Sequence, residues 1–396
     1  MGYNANKEIL YIGGFELPDK NAAAQRVIGN GKILRELGFD VYYLGSDQGL
    51  LKNEPLKHSV DTFEGFKFYK VKYPTKLSEW FIYLFSTANV VKLIDELPKL
   101  NFIIAYNYPA PALAKLNRLC KKRNIKLIAD CTEWYVPEGG IVYKTIKGFD
   151  TYLRMRIVHP KLDGIIAISK YLYDFYLIRM SGAVVQLPPL VDSSSEKWQN
   201  SFINYEEELN LVYAGSPGKG SKDRIDAIIK AFSTIKKDMS INFSLNIIGL
   251  TRQQYIDDFG DEFLTGELET CVVFAGRLSH TDTLKKIKNA DYAIFIRDNN
   301  LINTAGFPTK FVEALSCGTP VLTNLYSNVS DYLENGKNGY ILDTTTDEAL
   351  VQTLAVALSQ SKEKINEMKR LIKKQDRFDY RKYIDIVNSF LKTITE

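Results

Sequence analysis

Residues 306–324, GFPTKFVEALSCGTPVLTN, concentrate the groups best suited to meet a phosphorylated ligand. The run reads as a loop, a helix, a Gly-Thr-Pro turn and a buried strand. Gly306 permits close backbone approach, and the N–H groups and positive dipole end of the following helix favour an anion there. Lys310 and Glu313 share a helix face at i, i+3 spacing. A carboxylate so placed accepts hydrogen bonds from both ribose hydroxyls of a nucleotide, as the acidic residue of dinucleotide-binding folds does. The competing reading is a surface Lys–Glu pair. A second run, AGSPGKGSKD (214–223), is Gly-rich, basic and pre-helical. Its backbone can cradle a diphosphate, with Lys219 or Lys222 neutralising the charge that grows as a sugar departs. It lacks P-loop spacing, and a solvated turn is its alternative.

Two further strand ends carry polar groups. Gly13 and Gly14 close the first strand, where Gly14 allows a phosphate or an acceptor to come close, with Arg26 as an anion contact; a surface salt bridge is the favoured reading of Arg26. In KLIADCTEWYVPEGG (126–140), Asp130 and Glu133 end a buried strand and are poised for acceptor hydroxyls. Glu133 is the first choice for orienting a hydroxyl or stabilising positive charge on a sugar ring, and Asp130 serves equally well as a turn cap. The three histidines, His58, His159 and His280, fall in no triad pattern. Neither H-x-x-x-H, D-x-D nor a carboxylate cluster of ligand spacing occurs at a strand end, so metal-independent chemistry is expected and no cofactor is implied.

These turns need a scaffold of strands. Short β-rich runs alternate with helix-period segments, the signature of βαβ units and parallel sheets. The first half offers strands at 8–13, 40–45, 66–71, 102–107, 126–130 and 164–169, with a helix carrying Val27, Ile28, Leu34 and Leu37 stopped by Gly38. Residues 188–208 lose apolar periodicity and read as a linker. Strands resume at 209–215, 243–249, 271–276, 292–296 and 320–324, and an amphipathic segment from Tyr380 to Ile394 ends the chain. The expected domains are therefore 1–190 and 205–375, with 376–396 a helix that returns to the first. At 396 residues, two domains are the simpler count.

Charge and composition narrow the class. A net charge of +4 lacks the basic excess of a nucleic-acid binder. The four cysteines, Cys120, Cys131, Cys271 and Cys317, are scattered and read as core thiols. The opening MGYNANKE has no export signature, and Asn6 spoils a myristoylation pattern at Gly2, so a cytoplasmic location is expected. Peripheral membrane contact is a minor expectation, from EWFIYLF (79–85) and the basic-aromatic 143–161. Helices packed on the sheet are the blander account of both stretches.

Together, the Gly13-Gly14 turn, DGIIAISKYL (163–172), PPLVD (188–192), the VYAG loop with Lys222-Asp223, LNIIG (245–249), VVFAGRL (272–278) and the 306–324 block resemble the retaining glycosyltransferases of family 4, which have the GT-B fold. The resemblance implies two Rossmann-like domains facing across a cleft and a UDP- or GDP-sugar donor in the second. It implies a glycan or lipid-linked acceptor at the first, in capsule, exopolysaccharide or O-antigen synthesis. By it, Glu313 holds the ribose, Lys222 the diphosphate, and the backbone around Gly306 and Phe307 the sugar or its phosphate, with Pro308 also among the donor-binding residues. The chain departs from the pattern at Ala305, where the family has a second glutamate, and at Ser216 in the donor loop, where it has arginine. A histidine usual in the first-domain acceptor turn is also missing, with Thr132 and Glu133 in its region. Arg297 is expected to restore the positive charge. The alternative is a non-catalytic partner of this type that binds acceptor or stabilises an active transferase. A sugar-nucleotide epimerase on the same scaffold is disfavoured by the 306–324 block.

Overall fold

The computed structural model describes residues 7–18, 21–51, 56, 60–134, 141–199, 206–215, 222–239 and 241–396. The chain forms two compact units. The first comprises Met1–Val191, Ala305–Phe307 and Tyr380–Glu396, and the second Asp192–Thr304 and Pro308–Asp379.

In the first unit, β1 (Lys7–Gly13), β2 (Phe39–Asp47), β3 (Val60–Phe63), β4 (Phe66–Lys72), β5 (Leu100–Tyr106), β6 (Lys126–Cys131), β7 (Gly164–Ala167) and β8 (Ala183–Gln186) make one sheet, ordered β3-β4-β2-β1-β5-β6-β7-β8. All neighbours are parallel except the β3–β4 hairpin. Helices α1 (Ala22–Glu36), α2 (Leu77–Phe85), α3 (Ala88–Glu96), α4 (Ala110–Arg123), α5 (Ile141–Leu153) and α6 (Lys170–Leu177) fill the crossovers. Sequence periodicity misses β3 and β8 for different reasons. VDTF is an almost wholly exposed edge strand with no apolar face, and AVVQ has only four residues. Asn21 caps α1 by accepting from Ala24 N–H at 2.9 Å, and Gly38 follows its end at φ 89°, a left-handed value that a side chain would disfavour.

The second unit repeats the plan with β9 (Leu209–Ala214), β10 (Phe243–Ile248), β11 (Val272–Gly276), β12 (Tyr292–Ile294), β13 (Val321–Thr323) and β14 (Gly339–Ile341), all parallel and ordered β11-β10-β9-β12-β13-β14. Its helices are α7 (Ile225–Asp238), α8 (Arg252–Phe259), α9 (Glu267–Cys271), α10 (His280–Asn289), α11 (Leu301–Ala305, whose last residue groups with the first unit), α12 (Thr309–Cys317), α13 (Asp347–Leu358) and α14 (Lys362–Gln375). β14 begins at the end of the Asn- and Gly-rich stretch 335–339, which reads as a turn. The core-thiol expectation holds for Cys120, Cys131 and Cys317, whereas Cys271 is half-exposed at the end of α9.

The last helix, α15 (Ile384–Thr395), belongs to the first unit. Val387, Phe390, Leu391 and Ile394 pack into its core with Ile128, Ile166 and Val185. Gly164 in β7 makes room for them, since a Cβ there would stand 2.5 Å from Ile394 Cδ1 and 2.8 Å from Phe390 Cζ. Phe390→Ala should therefore lower stability by about 3–5 kcal/mol through the cavity it leaves. A urea melt checks this; an unchanged midpoint would mean that α15 contributes no core.

Candidate functional site

Parallel strands place their C-terminal ends on one edge, where open α/β sheets bind ligands. In the first unit, the register sets Gly13 beside Tyr106, and Tyr106 beside Asp130, at that edge. Asp130 is completely buried there. Arg26, on α1, donates through Nη2 to Asp130 Oδ1 at 2.7 Å and through Nη1 to the Leu187 carbonyl at 2.8 Å. Tyr11 donates its hydroxyl to Asp130, and Asn30 Nδ2 donates to Tyr11 at 3.0 Å. This closed network corrects two expectations. Asp130 does not meet acceptor hydroxyls, because its oxygens face Arg26, Tyr11 and Asn30. Arg26 is neither an anion contact nor part of a surface salt bridge, but the buried partner that makes an enclosed carboxylate tolerable.

Glu133 is exposed, just beyond β6. The turn before it is braced: Asn107, at a left-handed φ of 43°, donates from Nδ2 to Thr132 Oγ1 at 2.6 Å, and Thr132 N–H donates back to Asn107 Oδ1 at 3.2 Å. Gly14 lies exposed after β1, where a Cβ would come 3.5 Å from Tyr83 OH. The position therefore has room and an aromatic hydroxyl beside it.

The second unit gathers more charge. Asp223, buried at the start of α7, accepts from Arg297 Nε at 2.6 Å, from Tyr213 OH at 2.7 Å and from the Lys310 ammonium. Burial alone would raise the Asp223 carboxyl, but the charges of Lys310 and Arg297 outweigh it and hold it below the usual carboxylate range. Lys310 also donates to Tyr213 OH at 3.2 Å and lies 4.3 Å from the centre of that ring. Burial pulls its ammonium down to about 8, against the opposing pull of Asp223. Gly215 is close enough that a Cβ would stand 2.7 Å from Lys310 Nζ, so only glycine leaves the lysine its place. Two cations face one carboxylate, and the cluster holds an excess of positive charge.

Lys310 sits on the first turn of α12, whose leading amides have no acceptor inside the helix and whose dipole adds positive potential. Glu313 follows one turn later and receives His280 Nε2 at 3.3 Å. His280, which no sequence pattern singled out, is the first residue of α10, with Trp198 edge-on to its ring at 6.3 Å. Gly318 ends α12 at φ 81°, the left-handed stop that the Gly-Thr-Pro turn implies. Gly306 is half-buried, and Phe307 and Pro308 are buried, leading into α12. Within the first unit, Ser169 Oγ donates to the Ala305 carbonyl at 2.7 Å.

Lys222 is exposed immediately before Asp223, while Ser216 and Lys219 lie outside the described residues. Arg297 is correctly placed after β12, but its role changes. With its Nε on Asp223 and little surface exposed, it is first a partner of that carboxylate and only through the cluster a source of charge. Sequence reading missed Tyr213 and Asp223 as a pair because they lie on different elements, joined only by the fold.

Residues 195–379, nearly all of the second unit, match the family model described as glycosyl transferases group 1. The two-sheet architecture is that of GT-B glycosyltransferases. Sucrose-phosphate synthase from Thermosynechococcus elongatus aligns over 98% of this chain and 99% of its own at 11% identity, with a TM-score of 0.69. A glycosyltransferase from Rickettsia africae ESF-5 aligns over 98% and 100% at 14% identity, with a TM-score of 0.69. Anabaena HepE, solved with UDP, aligns over 97% and 99% at 14% identity, with a TM-score of 0.64. No curated protein matches by sequence.

Two measurements test these assignments. Arg26→Met leaves the Asp130 carboxylate enclosed without its cation and should cost about 3–5 kcal/mol in a denaturant melt. A loss below about 1 kcal/mol would return Asp130 to the solvent. In the second unit, an anion docking on the cluster would meet the Lys310 ammonium. Its ordinary value of 10.5 is lowered to about 8 in the free protein, so above that pH binding must take up a proton. The affinity for a nucleoside diphosphate should be level below about pH 8 and fall up to tenfold per pH unit above it. The terminal phosphate ionises near pH 6 and stays charged throughout, so calorimetry isolates the lysine. An affinity flat to pH 9.5 would remove Lys310 from the site.

Proposed function

We propose that the protein is a retaining, metal-independent glycosyltransferase that moves a sugar from a UDP- or GDP-sugar to a glycan or lipid-linked acceptor in polysaccharide synthesis of the capsule, exopolysaccharide or O-antigen type. The observation that carries the reading is the two-cation, one-carboxylate cluster of Lys310, Arg297 and Asp223 at the N-terminus of α12, one turn from Glu313. A diphosphate suits that excess of charge, and Glu313 is at the right remove to accept from ribose hydroxyls. Anabaena HepE solved with UDP, and with UDP and glucose, makes uridine the first base to test.

In this reading Lys310, the amides of α12 and the exposed Lys222 stabilise the leaving diphosphate. The backbone at Gly306–Pro308 lines the sugar, with Ser216 in the donor loop. As the anomeric C–O bond to the β-phosphate breaks, the acceptor hydroxyl oxygen bonds to the same face of that carbon. Its proton passes to the departing phosphate oxygen. Glu133 and Gly14 serve the acceptor side.

Ala305 favours a second reading. A buried methyl stands where the resemblance puts a donor-facing glutamate, which fits a partner subunit that keeps nucleotide binding without turnover.

Calorimetry with UDP, GDP and their sugars tests both. One nucleotide should bind, and Glu313→Ala should weaken it by about 1.5–3 kcal/mol, tenfold or more, as expected for a lost charged hydrogen bond. His280→Ala should reproduce part of that loss and shrink the preference for UDP over 2′-deoxy-UDP, since the imidazole holds the carboxylate. Binding with no transfer to any acceptor selects the partner subunit. No nucleotide binding at all sinks the transferase.

A further inference from the structure

Helix α2 is built against expectation for a water-facing element. Of its nine residues, LSEWFIYLF, four large apolar side chains are exposed: Trp80, Phe81, Ile82 and Phe85, with Phe81 at 66% and Ile82 at 62%. Clustered apolar exposure of this kind marks a contact surface. The helix packs on α4, whose sequence APALAKLNRLCKKR carries five cations and no acid. The two elements meet at Lys115, which donates to the Phe85 carbonyl at 3.0 Å and lies 5.7 Å from the centre of the Phe85 ring. A basic side chain therefore borders the apolar one. Helix α5 also packs on α4 and exposes Ile146, Phe149 and Tyr152, with Arg156 beside the Tyr152 ring at 5.8 Å.

The acidic groups of α2 and α5 are already engaged, and α4 has none. Glu79 pairs with Lys72, Asp150 accepts from Ala110 N–H at 2.8 Å at the start of α4, and Asp95 of α3 pairs with Arg123 at 3.1 Å. What remains outward is apolar and basic, the combination that interfacial helices use on anionic bilayers. No described helix is long and apolar enough to cross a membrane, so the contact is one of lying on the surface.

We propose that α2, with the basic surface of α4, docks the first unit on an anionic lipid surface. The docking face runs directly into a pocket. A cavity of about 140 Å³ at the sheet edge is lined by Gly13, Lys72, Glu79, Ile82, Tyr83 and Tyr108, and Ile82 belongs to both cavity and face. An amphiphile whose hydrocarbon lies along α2 presents its polar head to that cavity. If the transfer reading above is correct, the acceptor is of this class; the docking itself does not depend on that reading.

Cosedimentation of the full chain with vesicles of phosphatidylcholine, alone and mixed with phosphatidylglycerol, tests the proposal. The wild type should partition onto the anionic vesicles and be released by salt. The double substitution Phe81→Ser with Ile82→Ser should lower partitioning about tenfold or more, and Arg118→Glu with Lys122→Glu should do likewise through charge. Each variant should retain the wild-type melting temperature and UDP affinity, because the altered side chains are exposed. A wild type that stays in the supernatant overturns the proposal, as does vesicle binding unchanged in both variants. A concentration-dependent dimer abolished by the Phe81 and Ile82 substitutions also overturns it, by assigning the face to a second copy. Failure of the wild type to bind any of UDP, GDP and their sugars would reject the transfer reading and leave the vesicle result standing.

Discussion

A carboxylate buried at the edge of a parallel sheet must be matched by cations and hydrogen bonds, or its desolvation exceeds what the fold can tolerate. Each unit meets this constraint with the same device. In the first, Tyr11 of β1 donates to Asp130; in the second, Tyr213 of β9 donates to Asp223. Both tyrosines lie two residues before the glycine that follows or ends their strand, Gly13 and Gly215, and both of those glycines admit a neighbour too close for a side chain. The motif Tyr-x-Gly thus places a hydroxyl beneath the strand end and a close neighbour against the glycine.

The two networks then part. Asp130 is met by a single cation, Arg26, and the set is neutral and sealed. Asp223 is met by Lys310 and Arg297, so neutrality is overshot, and Lys310 is held at a pKa of about 8 by an environment that disfavours its charge. An ammonium destabilised by burial gains from an arriving anion, whereas one already satisfied would gain little. The first network balances its charge and the second keeps an excess of positive charge, although the residue types at the two places are nearly alike.

That difference explains what sequence could and could not reveal. The alternation of strand and helix was legible because parallel strands buried on both faces read as apolar runs, and the fold class follows from it. The 306–324 block was legible because its chemistry is local: Gly306, Lys310, Glu313 and Gly318 lie within a few turns of one another. Asp130 and Arg26 read wrongly because their meaning depends on a contact across 104 positions. His280 was passed over for the same reason, as its partner Glu313 is 33 residues away on another helix. Edge strands such as β3 escaped because an exposed strand has no apolar alternation to detect.

Ala305 shows how the charge excess bears on chemistry. The position is fully buried, and its carbonyl is tied to Ser169, so the backbone there is held by a bond that does not depend on the side chain. Compared with a chain bearing glutamate at 305, this one has one negative charge fewer just before the 306–324 block. In the transferase reading, that favours the diphosphate in the ground state and the leaving group alike. It gives nothing to the positive charge that develops on the sugar ring. Only interactions stronger in the transition state raise the rate. In that reading a carboxylate other than one at 305 must answer that charge; of the two that end β6 in the first unit, Asp130 is sealed by Arg26, whereas Glu133 is exposed beyond the turn braced by Asn107 and Thr132.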